Sequence, residues 1–228
     1  MAEDAHDHNE HAQDEHDHEN DMAMDEHDHD EHGDDHGDEM VMDEHDHGDE
    51  HDHAHAGIDP HAWLDTRNAA IWLEVIADEL AAHMPDRAAD FAANAKAAKA
   101  QIATLTAEID ATLAPARDMA FVTFHDAYGY FVNQFNLMQA GSIALGDAAS
   151  PGAQRLVALR AEMEADAAAC IFPEVAHDPA LVTTMVEGTG VRIGGALDPA
   201  GSMLEPGAGL YGTLMRDMAQ TISDCAQG

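Results

Sequence analysis

The pentapeptide DEHDH occurs four times, at 14–18, 25–29, 43–47 and 49–53, with looser HGD and HDH units between the copies. Residues 1–56 hold 14 of the 18 histidines and 24 of the 46 acidic residues, with no lysine or arginine. Imidazole is a common ligand for borderline metal ions near neutral pH, and alternating carboxylates either complete a coordination shell or orient a ring from behind. Histidines two residues apart in a floppy chain can converge on one ion without a prearranged fold. His16 with His18, His27 with His29, His45 with His47 and His51 with His53 are such pairs. Nitrogen donors favour zinc, copper, nickel or cobalt over magnesium or calcium. A tract of this composition selects no coordination geometry, so it points to transition metals as a class. Its low hydrophobicity and high charge cannot offset the entropy of ordering, which predicts a disordered tail.

The formal net charge is −37, of which −24 falls in residues 1–56 and −13 in the remaining 172 residues. An acidic surface repels nucleic acid and anionic membranes, and both are excluded as partners on this ground; a cation is the natural ligand. No apolar run approaches the roughly 18 residues needed to cross a bilayer, so no direct membrane insertion is expected. The N-terminus, MAEDAHDHNE, has neither a positive n-region nor an apolar h-region and does not read as a signal peptide. Cys170 and Cys225 lack metal-finger spacing; they can pair, which would mean an oxidising compartment, and neither has the basic setting of a reactive thiolate. HExxH and GxSxG are absent and His125 has no evident general base, so the chain is not expected to be an enzyme.

The composition changes abruptly after residue 56, which divides the chain into a tail (1–56), linker helices (57–115) and an α/β lobe (116–228). Asp59 to Asp65 turns into a helix whose apolar positions Ala69, Trp72, Leu73, Ile76 and Leu80 keep helical spacing. Pro85 interrupts it, and a second helix from about Asp86 to Leu113 would span about 40 Å, long enough to brace two bodies. After Pro115, strands are expected at 119–124, 137–145, 169–172 and 191–197. Helices are expected at 127–135, from Ser150-Pro151 to about Ala167, after Asp178-Pro179, and over 210–225. Strands alternating with helices predict right-handed βαβ units on a parallel sheet, where ligands gather at the carboxyl ends of strands. His125, Glu174 and Asp198 stand at three such ends. His83 and His177 read as surface residues. Trp63, Trp72 and the methionines at 203, 215 and 218 read as core.

The phrases DPHAWLD (59–65), FVTFHDAYGYF (121–131) and LDPAG (197–201), with the long alanine-rich helix between the first two, resemble the zinc-uptake substrate-binding proteins of ABC transporters. The likeness is to the ZnuA type within the cluster of Zn/Mn-binding receptors, and it covers 57–228. It implies a metal held between two α/β lobes bridged by a rigid helix and then delivered to a membrane permease. Carried over by motif, His61, His125 and Asp198 are the implied metal ligands, and a histidine at 125 resembles the zinc branch. The same resemblance implies a Cys170–Cys225 disulfide. Pro173-Glu174 reads as an inversion of the family's Glu-Pro pair, so Glu174 receives no ligand role. The family's first lobe, signal peptide and first ligand histidine have no counterpart here, so the chain is expected to begin inside the histidine loop, as half of a two-lobe metal receptor.

The leading expectation is a monomeric, zinc-binding receptor component whose full-length parent is periplasmic, with Zn2+ as its cargo and an ABC permease as its partner. The tail would capture metal and pass it to His125 and its partners; protonation of imidazoles below about pH 6 should weaken that capture. The alternative is a stand-alone histidine-rich metal buffer or metallochaperone with the α/β segment as a soluble carrier.

Overall fold

A computed structural model describes residues 59–145 and 151–228. The histidine tail and Ser150 lie outside the described residues. Four strands, β1 (Ala120–His125), β2 (Met138–Ala144), β3 (Cys170–Phe172) and β4 (Arg192–Ile193), form one sheet in the order β2-β1-β3-β4. Every pairing in it is parallel. The α/β class and the parallel sheet read from the sequence are therefore present.

The alternation of β1 divides the core in two. Phe121 points into a cluster with Phe131, Phe135 and Phe172, while Val122 and Phe124 point into a second cluster with Ile143, Ile171 and Val182. Successive side chains of a strand face opposite sides, and a central parallel strand covered on both sides is largely apolar. All six residues of β1 are buried. The first face is closed by α2 (Ala88–Thr112), α3 (Gly129–Phe135) and α6 (Leu210–Gln227), the second by α4 (Ala153–Ala165) and α5 (Ala180–Val186).

α1 (Thr66–His83) lies beside α2, where Lys99 pairs with Glu74, and a short 3-10 turn at Pro85–Arg87 separates the two helices. In α2 only Leu105 and Ile109 are fully buried, followed by Leu113; these sit in the same core as Phe121.

Four expectations are corrected. Trp72 is 43% exposed on an outward apolar stripe of α1 with Ile71, Val75 and Ile76, because helical spacing establishes an apolar face without saying what covers it. Met203 is 75% exposed on a loop, whereas Met215 and Met218 are core as expected. The fourth strand is two residues rather than seven. A Cβ on Gly194 would lie 2.3 Å from the Phe172 ring, so the backbone passes close over that ring, and pairing resumes only as the bridge between Glu174 and Leu197. Finally, α4 starts at Ala153 with Gly152 as its N-cap, without a side-chain cap.

Candidate metal centre

The strand register brings the site together. β1 and β3 pair Phe121 with Cys170 and Thr123 with Phe172, and the same offset carried two residues on sets His125 opposite Glu174 on one face. Glu174 is fixed there because its neighbours complete the ladder: Leu197 N–H donates to Pro173 O, and Val175 N–H donates to Leu197 O, both at 2.9 Å. The His125 Nδ1 to Glu174 Oε2 distance is 2.6 Å, with both side chains nearly fully buried. Tyr128 Oη donates to the same oxygen at 2.9 Å.

The DPHAWLD segment delivers a second histidine. Asp59 Oδ1 accepts the backbone N–H of His61 at 2.9 Å and stands 2.8 Å from its Nδ1. Gly129 makes room for this carboxylate, since a Cβ there would come within 3.2 Å of Asp59 Oδ2. Trp63 anchors the segment by donating its indole N–H to Pro199 O at 2.9 Å, and Tyr211 Oη donates to Trp63 O at 3.0 Å. Asp65 ends the phrase as the N-cap of α1, accepting from Arg67 N–H. The guanidinium of Arg67 also pairs with this carboxylate, which raises the Arg67 pKa.

The outcome is an edge-on pair: the His61 and His125 rings lie 5.3 Å apart between centroids, and His61 is only 8% exposed. Each ring turns Nδ1 to a carboxylate, His61 to Asp59 and His125 to Glu174. A carboxylate behind a ligating imidazole fixes its tautomer and raises its basicity.

Asp198 stands after the bridge at Leu197 but uses its carboxylate locally. Its Oδ1 accepts from Ser202 N–H and Oγ–H, and its Oδ2 accepts from Met203 N–H. Its charge still reaches Tyr128. Burial first, then the Glu174 charge and hydrogen bond, then the charge of Asp198, push the Tyr128 phenol well above its ordinary pKa. The sign of the resulting pH dependence is fixed. Below about pH 10 Tyr128 is protonated folded or unfolded; above it the unfolded chain releases a proton that the folded one keeps. Stability should therefore fall above about pH 10, by up to about 1.4 kcal/mol per pH unit. Tyr128→Phe should flatten the alkaline limb of the denaturation midpoint by one proton; equal limbs in the two proteins would refute the assignment.

Two residues outside the expected set stand close to His125. Glu174 faces His125, as its place at a strand end suggested and the motif comparison obscured. His177 stacks on Phe124 at 4.4 Å between centroids and sets Nε2 3.6 Å from Glu174 Oε1. Donor atoms of His125, Glu174 and His177 all lie within 4.8 Å of one another. His83 is exposed, as expected. Cys170 and Cys225 are joined in a disulfide. Among the described residues, no helix is long and apolar enough to cross a membrane.

Comparison with known proteins places these features in context. Residues 2–225 match the family model described as zinc-uptake complex component A, periplasmic. Over 170 residues the chain is 48% identical to the high-affinity zinc uptake system protein ZnuA of Paracoccus denitrificans, covering 75% of this chain and 52% of that one. Over 167 residues it is 41% identical to the protein of the same name in Brucella abortus, covering 73% and 50%. The chain thus spans about half the length of these curated relatives. Among solved structures, a crystal structure of ZnuA superposes with a TM-score of 0.62 at 26% identity, over 74% of this chain and 62% of that one. FpvC of Pseudomonas aeruginosa, an SBP solved in complex with Mn2+, superposes with a TM-score of 0.65 at 26% identity, over 74% and 64%.

Proposed function

Because the chain belongs to the periplasmic zinc-uptake complex component A family, we propose that it is a zinc-binding receptor component of a high-affinity ABC uptake system, representing the second half of such a receptor. His61 and His125 hold the ion through Nε2, Asp59 and Glu174 orient the two rings, and Asp198 would complete the shell from the turn after Leu197 by giving up its bonds to Ser202 and Met203. The observation that carries this reading is the pair of buried histidines, 5.3 Å apart, each backed by a carboxylate on Nδ1. Two imidazoles suit zinc better than the harder divalent ions. The cargo is then Zn2+, the site of action the periplasm, and the partner a membrane permease. The protein binds and releases and has no catalytic role.

The tail serves as an antenna. Its paired histidines, His16 to His53, collect zinc loosely and pass it to a tighter seat, so capture and retention are divided between the two parts of the chain. Equilibrium dialysis against zinc with and without residues 1–56 tests this division. The shortened chain should retain one zinc while the weaker ions are lost. Loss of all binding would make the protein a histidine-rich buffer instead.

A further inference from the structure

We propose that His177 and Glu174 form an outer capture site for the divalent cation, from which the ion passes inward to His125. The proposal rests on the receptor reading above, in which His125 belongs to the final seat.

The two oxygens of Glu174 face different neighbours. Oε2 is engaged by His125 Nδ1 at 2.6 Å and by Tyr128 Oη at 2.9 Å, both ordinary hydrogen-bond separations. Oε1 faces His177 Nε2 at 3.6 Å, too long for a hydrogen bond. Two ligands on a tetrahedral zinc, each about 2.0–2.2 Å from the metal, stand roughly 3.3–3.6 Å apart. The gap between Glu174 and His177 therefore matches the spacing of two ligands on one ion.

Exposure gives the pair a direction. The side chain of His177 is 33% exposed, against 7% for Glu174 and 4% for His125. One carboxylate thus joins a histidine that solvent reaches to one that it does not. An ion entering from water would exchange water for His177 and Glu174 Oε1 first, and would meet His125 within the 4.8 Å span of the three donors.

The backbone holds His177 in this place at a cost. Ala176 has φ of 66°, in the left-handed region that residues other than glycine avoid, and His177 N–H closes the turn onto Glu174 O at 3.3 Å. Such strain, roughly 1–2 kcal/mol, persists where the surroundings over-determine a conformation, and it concentrates at binding sites. Here the turn folds the imidazole back onto the ring of Phe124, which fixes its plane, with the His125 ring 6.3 Å away.

A two-donor station of this kind speeds loading without adding to final affinity. Stopped-flow mixing of the full chain with Zn2+ at a buffered free concentration reads both quantities through Trp63, whose ring lies 5.2 Å from His61. His177→Phe keeps a ring for the stack on Phe124 and removes the donor. It should lower the second-order loading rate about tenfold and leave the equilibrium affinity unchanged. His177→Asn, which also lacks the stack, should do the same and guards against a repacked loop. An unchanged loading rate overturns the proposal. So does a fall in affinity as large as that of His125→Ala, which would make His177 a permanent ligand. Wild-type binding by His125→Ala would instead overturn the receptor reading, so the two failures are separable.

Discussion

Replacing Cys170 and Cys225 together by alanine should lower the stability of the folded chain by about 4 kcal/mol. The bond closes a loop with a sequence separation of 55, and the entropy that such a closure removes from the unfolded ensemble corresponds to roughly that amount at 25 °C. A domain whose net stability is on the order of 5–15 kcal/mol would lose a large part of it. The bond ties the start of β3 to the last turns of α6, whose Leu214, Met215, Met218 and Ile222 fill the core facing Phe121. Arg192 reinforces the junction, donating from Nη2 to Cys225 O at 2.5 Å and approaching Cys170 Sγ at 4.0 Å. The sequence offered no basic neighbour for these cysteines; the sheet supplies one from β4. Chemical denaturation of the double variant, and of the reduced parent chain, reads the effect as a lowered midpoint with zinc affinity unchanged under folding conditions. Glu174 is fixed independently by its bridge to Leu197, at the far end of the strand from the disulfide. A midpoint equal to the parent's would mean that α6 holds its place by packing alone.

The parts of this molecule legible in the sequence are those in which local pattern and tertiary role coincide. MAFVTF reads as a strand because a doubly covered parallel strand is largely apolar on both faces, and the structure gives Ala120–His125. The site's main axis was legible for the same reason: a strand end is where a parallel sheet presents ligands, and His125 and Glu174 stand at two such ends. What failed depended on partners that no local pattern reveals. The apolar stripe of α1 is periodic, yet Trp72 points to solvent. The segment 191–197 contains Gly194-Gly195, and the close approach to the ring of Phe172 interrupts pairing between Ile193 and Leu197. His177 could not be placed because its position depends on one left-handed residue, Ala176, whose type gives no hint of that conformation. Glu174 was visible at a strand end but was set aside on the order of two letters. The distance to His125 restores it.

Removing His125 should have the largest effect on zinc binding, and the way Glu174 shares that effect can identify its role. His125→Ala deletes one of two paired imidazoles and should weaken the tight site by more than about a hundredfold in buffered-zinc competition with a chromogenic chelator. Glu174→Gln keeps the shape of the side chain but removes the charge behind Nδ1, and should weaken the same site by about 10- to 100-fold. If Glu174 acts on final affinity by orienting His125, the two losses cannot add. Once the ring is gone the carboxylate has nothing to orient, so the double variant should bind no more weakly than His125→Ala alone. Additive losses would instead make Glu174 an independent ligand of the bound ion. Asp59 provides the parallel case, because its carboxylate is 2.8 Å from His61 Nδ1 and its exchange for asparagine should matter only while His61 is present. The zinc seat would then consist of two histidines on separate segments, one at the end of a central strand and one in a capped turn. In each, the orienting carboxylate would be as much a part of the site as the ring.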